Sequence, residues 1–172
     1  RMNGKITAST TQVMLTELRP EGMLYGSILV PNAGLDESNT EGSRAIGWPV
    51  DPVKSANIIS SEIKKSSRAD IGVLITDSGC RPRRRGVTAF ALTAIGFDPI
   101  APLRGSKDLF GRDMLMTEEA IADQLATAAN ILMGNANQSI PAVIIREHNI
   151  PLTEFSGWIP GIEPEKDMFK GV

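Results

Sequence analysis

Apolar positions recur at two spacings along the chain, and the two spacings separate its elements. At even spacing, Leu24, Ile28 and Val30 fall on one side of 22–31, which predicts a strand. Residues 5–17 carry enough Thr and Val for extended structure too. Residues 70–76 (DIGVLIT) are a continuous apolar run, the mark of a strand buried on both faces, and this run ends at Asp77-Ser78-Gly79. Residues 87–96 lean to β structure, and 141–146 (PAVIIR) predict another buried strand. Helical spacing appears twice. Over about 53–67, Ala56, Ile59 and Ile63 share a face, and Lys64 and Lys65 suit the negative end of a helix. From about 118 to 133, Ile121, Leu125, Ala128 and Leu132 form one stripe, with Thr117 as N-cap, Glu118 and Glu119 in the first turn and Gly134 as C-cap. The stretches 32–42 (NAGLDESNTEG), 47–52 (GWPVDP) and 98–113 carry loop chemistry, and the tail from His148 is interrupted by Pro151, Pro160 and Pro164. Strands mixed with two main helices predict an α+β fold, a mixed β-sheet with packed helices, in a single domain over 1–172.

Composition narrows the function classes. At 172 residues the chain can bury a real core, and a hydrophobic share of 41% against 22% charged residues is that of an ordinary globular protein. The formal net charge of -2 argues against nucleic acid and anionic membranes as partners. No run of about 18 apolar residues is present to span a bilayer. Cys80 is the one cysteine, so no internal disulfide forms, and with His148 as the one histidine the common four-ligand zinc sites are excluded. Any metal here is expected to be held mainly by oxygen, which favours magnesium, manganese or calcium. The chain opens on Arg1 and shows no signal-peptide pattern, so the expectation is a processed, trimmed or incomplete N-terminus and a cytoplasmic location.

Four groups of residues could carry chemistry. Asp77 closes a buried apolar run, where a rigid sheet presents side chains to a cleft, and Asp77 with Ser78 could supply hard oxygens to magnesium; Asp-Ser-Gly suits a plain turn equally. Asp36, among Asn32, Ser38 and Asn39, is either a second carboxylate for the same cation or a surface Asx-turn. Arg81, Arg83, Arg84 and Arg85 suit phosphate or carboxylate groups, or form a solvated basic edge. Met133-Gly134-Asn135-Ala136-Asn137 ends a helix, where the partial negative charge favours a cation over a phosphate while backbone groups can still touch a base. The glycine-punctuated stretch 104–113 could order over a ligand or remain a surface loop.

Read in order, NAGLDESN (32–39), VDP and SA (50–56), GVLITDS (72–78), RPRRRG (81–86), RGSKDLFGRD (104–113), TEEAIADQLATAANILMG (117–134) and PAVIIR (141–146) resemble one family, the coenzyme F-420 gamma-glutamyl ligases; EKDMF (165–169) is similar to that family's end motif. The resemblance implies a GTP- and divalent-metal-dependent amide ligase. It would join the amino group of L-glutamate, or a similar amine, to a carboxylate of an anionic acceptor through an acyl phosphate. It implies magnesium or manganese held by Asp36, Asp77, Ser78 and Asn135, with Ser78 standing where the family has a threonine and Asn135 where it has a glutamate. It places Asn39 and the turn of Met133, Gly134, Asn135, Ala136 and Asn137 against the nucleotide, and gives Asp77, Arg81 and Arg84 catalytic roles. A homodimer is implied as well. About 20 residues precede the first matched strand, so the family's N-terminal region with its Gly-Leu-Pro loop for GTP is expected to be shortened or missing. The alternative is a homologue that binds nucleotide or anion without turnover.

Overall fold

The computed structural model of the chain describes residues 2–9 and 13–169. Its elements in order are β1 (Met2–Ser9), β2 (Met14–Pro20), β3 (Ile28–Pro31), α1 (Pro52–Ser67), β4 (Val73–Cys80), β5 (Val87–Ile95), β6 (Ala101–Pro102), β7 (Glu118–Glu119), α2 (Ile121–Met133) and β8 (Ser156–Trp158). The α+β architecture is the one the apolar spacing predicts. The strands pair antiparallel in the orders β1-β2-β3, β4-β5-β8 and β6-β7.

Helices α1 and α2 cover opposite faces of the β4-β5-β8 sheet. Alternate residues of a strand face opposite ways, and the packing follows that rule: Val73 and Ile75 meet Ala56 of α1, while Leu74 joins Ala122 and Ala126 of α2. Strand β5 is the centre of the core, with Ala91 to Ile95 buried without a break. A β-bulge makes that possible. Ile75 pairs with Thr93 and Thr76 with Ala91, which leaves Leu92 as an extra residue. The α2 face therefore reads Ala89, Ala91 and then Ala94, changing parity across the bulge. Asp123 of α2 accepts a hydrogen bond from the Ala91 backbone N–H at 2.8 Å, and Thr127 Oγ1 donates to the Ala89 carbonyl at 3.1 Å. These two bonds seat the helix on the bulged strand. We expect Asp123→Ala to lower stability in urea unfolding by ~1–3 kcal/mol, the cost of a stranded buried donor, and Asp123→Asn, whose amide oxygen still accepts, to recover most of it.

Several boundaries depart from the sequence expectations. Strand β3 covers only 28–31, and Leu24 is 71% exposed in the turn ahead of it. Gly22 and Gly26, with φ of 86° and 69°, break the extended run. Strand β4 passes through Asp77, Ser78 and Gly79 to Cys80 because β5 supplies partners down to Val87. It is not buried on both faces: only Val73 and Gly79 are buried, and β5 takes the central position. Helix α2 starts at Ile121 and not at 118, since Glu118 and Glu119 pair with Pro102 and Ala101. Ala120, not Thr117, takes the N-cap position, and the Pro99 carbonyl accepts the Ala122 N–H in place of a side-chain cap. Its buried positions are Ala122 and Ala126, with Ile121 and Leu125 beside them, while Leu132 is exposed. The alanines of β5 draw the helix close, so its small residues and not its leucines form the contact. On α1, Ala56 is buried, but Ile59 and Ile63 are exposed because the helix meets the sheet only through its first turns. Residues 141–146 pair with no described strand, and Ile144 is 76% exposed. Strand β8 lies within the tail that prolines mark as irregular.

Candidate functional site

The loop carrying Asp36 is built from turns that close on themselves. Ser38 donates to both Asp36 oxygens, through its backbone N–H at 2.8 Å and its hydroxyl at 2.5 Å. This is the Asx-turn alternative realised. The Ser38 hydroxyl and amide hold the Asp36 carboxyl below its ordinary pKa, against a small opposing effect of burial. Asp36 is therefore an exposed carboxylate, ionised at neutral pH, with a lone pair left on each oxygen. Its backbone forms a two-way bridge with Ile46, N–H to carbonyl in each direction at 2.9 and 2.8 Å. That bridge closes the 37–45 loop and delivers the chain to Trp48, two residues beyond.

Trp48 reaches Asp77. Its indole Nε1–H donates to Asp77 Oδ2 at 2.7 Å, and the Ser78 N–H donates to Asp77 Oδ1 at 2.7 Å. The indole lies against Gly34, where a Cβ would stand 2.7 Å from Trp48 Cε2 and 2.9 Å from Nε1. Gly34 also has φ of 72°, so backbone and indole both require glycine there. Trp158 of β8 packs on Trp48 with ring centroids 6.4 Å apart and planes tilted by 52°. Asp36 is thus bridged to Ile46, and Trp48, two residues on, is bonded to Asp77. Asp77 shares the β4 face of Val73 and Ile75, and the extended strand sends Ser78 to the opposite face. The expectation that the strand ends at Asp77 and Ser78 is corrected: β4 continues through both to Cys80.

The turn after α2 meets the same loop. Asn39 Nδ2 donates to the Ala136 carbonyl at 3.0 Å across 97 residues of sequence. Gly134 caps α2 with its N–H on the Asn130 carbonyl, as the glycine predicts, and Ala136 N–H is held by Gln138 Oε1 at 2.9 Å. Met133 is half-buried at the helix end, and Asn135 and Asn137 are exposed on the turn. Asn39 and residues 133–137 therefore lie together, as grouped from the sequence. Arg81 and Arg84 bracket a turn closed by the Arg84 N–H on the Arg81 carbonyl, with Arg83 left-handed at φ of 56°. Arg81 lines a cleft of about 400 Å³ with Phe90, Asp123, Met23 and Ile159, and neither Asp77 nor Arg84 lines it. Cys80 is exposed and also borders this cleft.

A hard divalent cation suits this donor set in kind. Asp36 and Asp77 offer carboxylate oxygens with spare lone pairs, the kind of donor such a cation takes. Among the described residues no group of three or more His, Cys, Asp or Glu gathers as a metal cage. Phosphate oxygens and water would have to complete the coordination, as is usual for magnesium. Trp48, Trp158, Gly34 and Asp123 were not singled out by sequence reasoning. Trp48 had one signal, an indole donor inside the irregular stretch GWPVDP in a chain with only two tryptophans.

Two helices packed on opposite faces of an antiparallel sheet make this an α+β domain. The chain belongs to the F420-0:gamma-glutamyl ligase family, whose model matches residues 5–147. It is 37% identical to the coenzyme F420:L-glutamate ligase of Methanopyrus kandleri over 158 residues, a stretch covering 92% of this chain and 55% of the relative. It is 41% identical to the enzyme of that name from Methanocaldococcus jannaschii over 140 residues, 81% of this chain and 55% of the relative. The enzyme of that name from Methanosarcina mazei is 44% identical over 115 residues, 67% of this chain and 45% of the relative. The chain spans about half the length of these curated relatives. Among the described residues no helix is long and apolar enough to cross a membrane.

Proposed function

We propose that this chain is the catalytic part of an amide ligase that joins L-glutamate, or a similar amine, to a carboxylate of an F-420-0-like or other anionic acceptor. GTP would transfer its terminal phosphoryl group to the acceptor carboxylate, giving an acyl phosphate and GDP. The amine nitrogen then attacks the acyl carbon, the C–O bond to phosphate breaks, and the nitrogen loses a proton as phosphate leaves. The observation that supports this reading best is the path from the Asp36 backbone through Ile46 and Trp48 to the Asp77 carboxylate, which links two acidic residues remote in sequence. When bound, magnesium or manganese would neutralise phosphate charge. Asp36 and Asp77 would hold it, with Asn135 as a neutral oxygen donor from the 134–138 turn. Asn39 and residues 133–137 would orient the nucleotide. The guanidinium groups of Arg81 and Arg84 would hold anionic oxygens of the acceptor or phosphate.

A second copy of the chain is part of this proposal. Ile131, Leu132, Ile144, Phe110 and Met116 are exposed apolar side chains that a homodimer would cover. A second reading, a nucleotide- or anion-binding homologue without turnover, is favoured by one observation: no described cluster of three acidic or histidine ligands exists, and Asn135 brings no charge.

The test is calorimetry of the chain with GTP, GDP and ATP, each with and without manganese, followed by phosphate release with a panel of carboxylates and amino acids. The ligase reading expects manganese-dependent nucleotide binding and phosphate release that requires both acceptor and amine. Binding without release under every pairing selects the second reading. No nucleotide binding at all removes the ligase reading.

A further inference from the structure

We infer that Trp48 is a positioning residue for the cation-binding carboxylate, and this rests on the ligase reading above. Asp77 is a short side chain on a sheet face, and nothing in a strand fixes the rotation of its carboxyl group. Two donors fix it here. The Ser78 N–H takes Oδ1, and the indole Nε1–H takes Oδ2 at 2.7 Å. Each oxygen keeps one lone pair, so the donors orient the carboxylate without occupying it.

The indole is itself immobilised on three sides. Gly34 yields the space for its Nε1 edge, Trp158 packs on it, and the Asp36–Ile46 bridge anchors the chain that carries it. The same indole therefore touches the backbone that leads into Asp36 and the carboxylate of Asp77. It orients the Asp77 carboxyl group and packs on the Gly34 backbone two residues before Asp36. A neutral donor suits this task, because a cationic donor would compete with the metal for the carboxylate charge. Groups that orient a ligand in this way are typically worth ~10–100-fold in metal affinity.

The experiment has one readout that needs no metal. In a Trp158→Phe background the single indole Nε1–H resonance belongs to Trp48. Without metal it should be shifted downfield and slow to exchange, and Asp77→Ala should move it upfield and speed its exchange. An indole signal indifferent to Asp77→Ala overturns the inference. The second readout is manganese affinity, by calorimetry or by the paramagnetic resonance of the free ion. Trp48→Phe should weaken it by ~10–100-fold with the fold retained, while Asp77→Ala abolishes it. Affinity unchanged in Trp48→Phe but lost in Asp77→Ala overturns the role of Trp48 and leaves the cation site standing. No manganese uptake by the unmodified chain removes the cation site and this inference with it, even if the indole hydrogen bond is seen. If Trp48→Phe does not fold, β-(3-benzothienyl)alanine is incorporated at position 48 of the Trp158→Phe chain. That ring keeps the shape and lacks the N–H, and the same outcomes apply.

Discussion

Asp77→Ala should abolish metal-dependent nucleotide binding while the chain stays folded. Asp77 supplies one of the two carboxylates proposed for the cation, and a hard divalent ion loses both charge and a ligand with it. The drop in manganese affinity should exceed ~100-fold, more than removal of an outer group such as the indole would give. The fold should survive, because Asp77 is only half-buried within β4 and the ladder from Val73 to Cys80 is made by backbone. The stranded Trp48 N–H costs ~1–3 kcal/mol, visible as a modest fall in the melting temperature. Asp77→Asn separates the two effects. Its amide oxygen still accepts from the indole, so melting returns toward that of the parent chain, but the missing charge keeps manganese binding weak. Asp36→Ala should lose the metal with almost no change in melting, since Asp36 is exposed and its partners lie within its own turn. Calorimetry and thermal melting on the same samples check all three. Nucleotide binding with undiminished manganese dependence in Asp77→Ala would sink the site.

Leu92→Ala should cause a large loss of stability. Leu92 is 1% exposed and is the extra residue of the β5 bulge, and its carbonyl accepts the Ile159 N–H at 2.9 Å. The flanking β5 residues, Ala91 and Thr93, are too small to fill the space a removed isobutyl group leaves. The expected cost is ~2–5 kcal/mol, the transfer energy of the lost methylenes plus the cavity left behind. Against the total of ~5–15 kcal/mol typical of a domain, that is a large part of the margin. Urea unfolding would show it as a lower midpoint with an unchanged slope. Leu92→Met, of nearly equal volume, should cost less than about 1.5 kcal/mol. A midpoint equal to that of the parent chain in Leu92→Ala would mean that the bulge is not packed as described.

Both effects arise from features that apolar spacing does not encode. The run 70–76 correctly marks a strand, and the helical spacings correctly mark α1 and α2. Yet the run at 70–76 suggested that β4 was the buried strand. Burial went instead to β5, because β8 pairs on its far side with Thr93, Ala94 and Ile95. A three-residue strand within a proline-interrupted tail has no periodicity to read. The bulge was equally hidden, since an extra residue shows only against a partner. Ala128 and Leu132 fit the helical stripe on paper and lie exposed, because the surface that α2 meets is made of alanines from another part of the chain.

The sequence by itself determined the α+β class and the loops rich in Asn, Asp, Ser and Gly. It did so because these depend on residue type and local spacing. The family also follows from ordered local segments, now matched over residues 5–147. The tertiary structure alone decided which groups meet. Asn39 reaches Ala136 across 97 residues, and Trp48 reaches Asp77 across 29. Such meetings are fixed by the sheet's register and by a glycine that lets an indole pass, and neither has a local signature in the chain.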